Sequence, residues 1–329
     1  MALLHYYVHG RGRGHASRSR AVIARLQQAG HEVIAFAGRD ARALLRDRVP
    51  TRSVRSLLPG QGLGTGPLVA ARVREAAAAL RHDDARLVIS DGDLPGLLAA
   101  RLLRRPSIAV GHGLVFLCCE RPPSLPAAPW RREAIKAGVS SVGASRRVAV
   151  GFVPLPVRRG RLARPALELP EIRRTPDGPV LCYFRDGASV PLQRHLAALS
   201  RDVPVILFAT EPPVVPGIEH ELPSRERFVE VLARARAVVA SAGSQLISEC
   251  VALGTPQWAG YRPDDDEQAL NVAMLREAGL GDGCPLPELD EARLRAFLAR
   301  PASPPSRWDA PDVATAVLEE VDELLRRSR

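Results

Sequence analysis

One rhythm recurs along the chain: a short apolar run, a turn of small residues, then a segment with helical spacing. In the first half the apolar runs are "ALLHYYV", "HEVIAF", "RLVIS" ending at Asp91, and "PSIAVG", with helical patterns near 17–28, 66–80 and 94–104. In the second half "PVLCYF", "VPVILF", "AVVAS" and "PQWAG" alternate with helical patterns near 191–199, 225–235 and 244–253. Continuous apolar runs of this length, separated by helices rather than tight turns, predict parallel strands covered on both faces. The expected class is therefore α/β with Rossmann-like parallel sheets. At 329 residues the chain is too long for one ordinary core and fits two domains. The proline-rich stretch from Val153 to Pro179 separates the two rhythms and reads as a linker. We expect domains at 1–157 and 158–308, with a closing helix in 309–329 that no strand follows.

The first turn, "HGRGRGHASRSRAV" at residues 9–22, decides against one obvious ligand. A dinucleotide fingerprint requires G-x-G-x-x-G and, further on, a carboxylate for the ribose. Here the glycines stand as G-x-G-x-G, and "HEVIAF" runs into Ala37, Gly38 and Arg39 without a carboxylate. What remains is a glycine turn open to close approach, followed by a helix from about Ser17 whose free N–H groups point at the loop.

Charge is divided unevenly. Residues 1–165 carry a net charge of +18 and residues 166–329 a net charge of −8. A bias toward arginine codons explains why Lys136 is the only lysine, but it would act on both halves alike. The asymmetry implies an anionic partner for the first half, whether a phosphate-bearing acceptor, a lipid headgroup surface or nucleic acid. Aromatic residues make up only 4% of the chain and do not interleave with the basic ones, which counts against nucleic acid. The five cysteines form no C-x-x-C pair, so neither a zinc site nor a disulfide framework is expected, and no metal ligand set is nominated. No leader pattern and no membrane-length apolar run is present, so the expected location is cytoplasmic, with peripheral membrane contact left open.

The second turn is more specific. In "AVVASAGSQLISECVALGTPQWAGYRPDDDEQALNVAML" a strand ends in Ser241, Ala242 and Gly243, and the helix that follows carries Glu249. A helix start with free N–H groups can hold an anion, and a carboxylate along that helix can accept two vicinal hydroxyls, as a nucleotide sugar requires. This stretch resembles the donor segment of GT-B glycosyltransferases, in particular the family 28 branch that includes the peptidoglycan N-acetylglucosaminyltransferase. Gly243, Ser248, Glu249, Glu267, Gln268 and Asn271 fall on its pattern.

The resemblance implies two parallel-sheet domains facing across a cleft, with the last helix crossing back to the N-terminal domain. It implies a sugar nucleotide, UDP-linked, as donor and no cofactor. Gly243, Ser244, Gln245, Ser248, Glu249, Glu267, Gln268 and Asn271 would hold the donor. Where relatives have a glycine turn under the diphosphate, this chain has Arg185 and Asp186, and Arg185 is expected to contact the diphosphate directly. Gly12 and Gly14 would face the acceptor, His15 would be the general base, and Asp91, at the end of the fourth strand, would steady it. Duller roles remain open: His15 and Asp91 as helix caps, His112 in "VGHG" as a rival base on the acceptor side. The expected reaction is metal-independent, inverting transfer to an acceptor hydroxyl. The alternatives are a nucleotide-sugar hydrolase or epimerase and a non-enzymatic binder of nucleic acid or anionic surfaces.

Overall fold

The computed structural model describes residues 1–10, 13–57, 65–169, 177–300 and 308–327. In the first half the elements are β1 (Leu3–Val8), α1 (Arg13–Gln28), β2 (Glu32–Ala37), α2 (Arg39–Leu45), β3 (Thr51–Ser53), α3 (Thr65–His82), β4 (Leu87–Asp91), α4 (Leu94–Leu102), β5 (Ser107–Gly111), α5 (Leu114–Cys118), α6 (Ala127–Ser140), β6 (Arg146–Val150) and β7 (Arg161–Ala163). In the second half they are β8 (Val180–Tyr183), α7 (Val190–Leu199), β9 (Val205–Phe208), β10 (Glu219–Glu221), α8 (Arg225–Arg234), β11 (Ala237–Ser241), α9 (Ser244–Leu253), β12 (Gln257–Tyr261), α10 (Asp266–Glu277), β13 (Gly281–Pro285), α11 (Glu291–Leu298) and finally α12 (Val313–Arg327).

The chain divides into two compact units: residues 1–122, 131–167 and 309–329 form one, residues 123–130 and 168–308 the other. The first unit holds a seven-stranded sheet in the order β3-β2-β1-β4-β5-β6-β7, the second a six-stranded sheet in the order β10-β9-β8-β11-β12-β13. Every strand pair is parallel. The central strands are mostly apolar because helices cover both of their faces: β4 and β5 are buried along their whole length. In each sheet the chain starts in the middle, winds outward, then returns to the other side of its first strand. That reversal lies between β1 and β4 in one unit and between β8 and β11 in the other, and the carboxyl ends of such a pair leave a crevice.

Several elements differ from the sequence expectation. Helix α1 begins at Arg13 rather than near Ser17, so Gly14 and His15 lie in its first turn and not in a loop. First-turn N–H groups have no intrahelical acceptor in any case, so the turn forms despite its glycine. The close approach anticipated for the glycine loop falls on Gly10, where a Cβ would collide with Ser56 Oγ and lie 3.1 Å from the Gly38 carbonyl. Gly12 lies outside the described residues. Strand β7, inside the stretch expected as linker and beyond residue 157, pairs with β6 in the first sheet.

The last helix returns to the first unit as expected. Asp312 caps it by accepting from the Ala314 and Thr315 N–H groups at 2.9 and 3.0 Å. Val313, Val317 and Val321 then enter the same core as Val22 and Leu26 of α1. Its outer side brings Glu319 and Glu320 onto Arg161 and Glu320 and Glu323 onto Arg146, so part of the arginine excess of the first half is matched within its own unit. Among the described residues, no helix is long and apolar enough to cross a membrane.

One core residue ties stability to pH. His5 sits in the middle of β1, fully buried beside the rings of Tyr7 and Phe36, and its Nε2–H donates to Asp83 Oδ2 at 2.9 Å. Burial disfavours the imidazolium more than Asp83 favours it, which pushes its pKa down from 6.5 to about 4. The unfolded chain therefore takes up this proton near pH 6.5, whereas the folded chain resists it until about pH 4. The stabilisation is complete above pH 6.5 and is lost as pH falls through that window, by about 3 kcal/mol at most. Urea denaturation at pH 7 and pH 4.5 is expected to show this loss, and His5→Gln to flatten it.

Candidate active site

The carboxyl ends of β1 and β4 carry the first group of side chains. Asp91, the last residue of β4, is wholly buried, and an isolated carboxylate there would be strongly disfavoured. Four donors from one face of α1 surround it. Arg18 donates from Nε to Oδ2 at 2.8 Å and from Nη2 to Oδ1 at 2.6 Å; Ser19 Oγ donates to Oδ2 at 3.3 Å; His15 Nδ1 lies 2.6 Å from Oδ1. Residues 15, 18 and 19 stand at i, i+3 and i+4, which places them on one helical stripe. Burial by itself would raise the Asp91 pKa, but the Arg18 guanidinium and His15 override it and hold the carboxyl far below the usual range.

The tautomer of His15 follows from its partners. Asp91, as a carboxylate, only accepts, so the hydrogen of the 2.6 Å contact sits on Nδ1. Arg18 Nη2 lies 3.2 Å from the same nitrogen, but two N–H donors cannot bond each other, and both point at Oδ1 instead. The Nε2 lone pair is left for another proton. About a third of the His15 side chain is open to solvent. Room for the ring comes from Gly92, whose φ of +76° favours glycine and whose Cβ would stand 3.2 Å from His15 Cε1.

The capping roles considered for these residues fall elsewhere. The N-cap of α4 is Asp93, which pairs with the buried Arg72, and Asp91 turns to α1. His112, at the end of β5, is buried: its Nδ1–H donates to the Val150 carbonyl at 2.8 Å and its ring stacks on Phe152. Of the two histidines considered as base, His15 is the one with an open face.

The corresponding crevice of the second unit carries the other group. Gly243 precedes α9 without a side-chain cap, so the first-turn N–H groups of Ser244 and Gln245 keep the anion-binding geometry of a helix start. Glu249, one turn on, is buried. It accepts from Arg225 Nη2 at 2.9 Å, Arg225 Nη1 at 3.2 Å and Gln245 Nε2 at 3.3 Å. Ser248 donates its hydroxyl proton to the Ser244 carbonyl at 2.6 Å. Asn271 of α10 is also buried, and its amide donates to the Ala242 carbonyl at 3.0 Å, so it pins the turn from beneath. Gln268 donates from its backbone and side chain to Asp265, the N-cap of α10, and Glu267 lies half-buried in the first turn of that helix. Arg185, after β8, is exposed and pairs with its neighbour Asp186 at 3.2 Å.

Sequence reasoning missed three of these side chains. Arg18 and Ser19 were discoverable, since their spacing from His15 puts them on its face. Arg225 was not: it comes from a different helix, and no sequence spacing connects it to Glu249.

Comparison with known proteins gives the class to which this α/β chain belongs. The family model described as glycosyl transferase family 1 matches residues 77–301, well over half of the chain. The chain belongs to that family and is a glycosyltransferase. No curated protein matches it closely enough to be counted a relative. Among solved structures, MurG of Acinetobacter baumannii is 17% identical with a TM-score of 0.66, covering 98% of this chain and 100% of that one. The calicheamicin glycosyltransferase CalG4 is 18% identical with a TM-score of 0.65, covering 99% of this chain and 94% of that one. The glycosyltransferase VinC, solved in complex with dTDP, is 17% identical with a TM-score of 0.63, covering 98% of each chain. The fold is that of GT-B glycosyltransferases.

Proposed function

We propose that the chain transfers a sugar from a nucleoside-diphosphate sugar, UDP-linked, to an acceptor hydroxyl, with inversion at the anomeric carbon and without a metal ion. The observation that carries this reading is the His15–Asp91 pair at the crevice of the first sheet, with Nδ1 protonated and Nε2 free. In the reaction the acceptor hydroxyl gives its proton to His15 Nε2 as its oxygen bonds to the anomeric carbon. The bond from that carbon to the nucleoside diphosphate breaks, and the diphosphate leaves with the electron pair. Attack from the face opposite the leaving group inverts the centre. Asp91 keeps the ring oriented through Nδ1.

The donor side rests on the second unit. The α9 N-terminus and Arg185 supply positive potential for the diphosphate as its charge develops. Glu249 accepts the two ribose hydroxyls in this reading, its carboxylate already paired with Arg225 at 2.9 Å. The dTDP bound to VinC shows a nucleoside diphosphate in a chain of the same fold and supports a nucleotide-linked donor here.

The acceptor is proposed to be anionic or lipid-linked and met by the first unit at a membrane surface. Ile135 and Val139, one turn apart on α6, are exposed, as are Val142 and, on α4, Leu102. The loop after α6 lies against α4, with a Cβ at Gly143 falling 3.3 Å from Arg101 Cβ, and Arg101, Arg104 and Arg131, on or beside these two helices, are exposed as well. Exposed apolar tips among arginines suit a peripheral contact with anionic lipid. Sedimentation with phosphatidylglycerol vesicles is expected, with release as salt rises; no sedimentation at low salt would remove the membrane from the proposal.

Nucleotide release from a panel of sugar nucleotides, with and without acceptors, tests the reaction class: turnover without acceptor would favour a nucleotide-sugar hydrolase. Within a transferase, His15→Ala is expected to lower kcat by about 10² to 10⁴ with donor affinity nearly unchanged. Near-normal turnover in a folded His15→Ala protein would remove the base assignment. On the donor side, Glu249→Ala is expected to weaken UDP binding by about 1 to 3 kcal/mol, read by calorimetric titration, and unchanged affinity would take Glu249 out of the donor site.

A further inference from the structure

We propose that Arg18 is a positioning residue that keeps His15 neutral and ready to accept a proton, by sharing Asp91 with it and opposing its imidazolium form. This rests on the reading of His15 as the base. In an isolated histidine–aspartate pair the carboxylate favours the imidazolium, and such a histidine is easily protonated before substrate arrives. Here the carboxylate is already matched by a guanidinium through both oxygens. Arg18 is nearly buried, so solvent screens it little. A proton added to His15 Nε2 would create a second cation 3.2 Å from the first, with one carboxylate between the two. The guanidinium therefore opposes a second positive charge at the ring and favours the state with an open Nε2 lone pair, which a general base needs in the ground state.

Among the described residues, the other groups in contact with His15 carry no fixed positive charge. His9 meets it edge-on from the end of β1, with ring centroids 5.4 Å apart, and Gly92 faces it from the turn after β4. Tyr6 lies beside Asp91 from β1, its hydroxyl kept protonated by burial and by the Asp91 charge. Arg18 is thus the fixed cation in direct contact with the ring. Its spacing from His15 places it there whenever α1 forms.

Removing an arginine that only held Asp91 in place would leave the His15 midpoint unmoved or let it fall, and this separates the two roles. The protonation of His15 can be followed by NMR in the full chain carrying ¹³Cε1-labelled histidine. Arg18→Met is expected to move the His15 midpoint up by about one pH unit, and the acid limb of kcat/KM with it, while Arg18→Lys stays near the wild-type midpoint. Because Arg18→Met leaves a buried carboxylate unmatched and is at risk of unfolding, a second comparison uses Asp91→Asn with and without Arg18→Met. The double variant has a neutral pair, and its midpoint is expected above that of Asp91→Asn alone. An unmoved or lowered midpoint in either comparison, or equal shifts in Arg18→Met and Arg18→Lys, overturns the proposal. Since the NMR titration reads His15 directly, it fails or succeeds independently of whether His15→Ala retains activity.

Discussion

A carboxylate at the carboxyl end of a parallel strand, with no access to water, has to be neutralised by its neighbours or protonated, and Asp91 is held charged. All of its side-chain partners come from α1, so the first helix is keyed to β4, a strand more than seventy residues later in the chain. Strand β1 lies between the two in the connection: it leads into α1 and is paired directly to β4 through the whole of its second half. The backbone of His9 continues that pairing onto the Asp91 carbonyl at 2.9 Å. The helix start and the strand end are consequently set in one arrangement by one buried charge, and the orientation of His15 follows from it.

The second unit meets the same demand in another way. Glu249 is as buried as Asp91, but its cation, Arg225, reaches it from the start of a neighbouring helix and stays more than a third exposed. An ion pair open to water is weaker and more easily shared than one closed off from it. A carboxylate held this way can take added hydroxyl donors without giving up its charge, which suits a group proposed to meet a ribose. The turn beside it is fixed from below by Asn271, so the helix start does not depend on ligand for its shape. Of the donor-side residues grouped by sequence, Asn271 and Ser248 direct their donors to backbone carbonyls, and the backbone of the turn with Glu249 is what they present.

The alternation of apolar runs with helical spacing was sufficient to anticipate two parallel-sheet units, because a strand buried on both faces has no polar face to alternate and so declares itself in the sequence. The Gly243–Glu249 segment was legible for a similar reason: a helix start and a carboxylate one turn on lie within seven residues, and local geometry relates them. The turn glycines were less legible. Glycine permits both a loop and the first turn of a helix, so the start of α1 was placed too late, and it is at Gly10, ahead of the helix, that the neighbours leave no room for a side chain.

Sequence by itself determined the class of fold and singled out His15, Asp91 and Glu249, since these follow from periodicity, a local turn or the resemblance to GT-B glycosyltransferases. Only the tertiary structure decided which charges meet. Arg225 is one of 46 cationic residues and nothing local distinguishes it from the rest, while Arg18 is marked only by its spacing from His15, which does not say that both meet Asp91. Their roles come from the winding of each sheet, which sets one helix against the end of a strand or the start of another helix far away in the chain. A buried carboxylate then accepts whichever guanidinium that packing brings within hydrogen-bond reach, because the cost of leaving it unpaired exceeds any local preference of the chain.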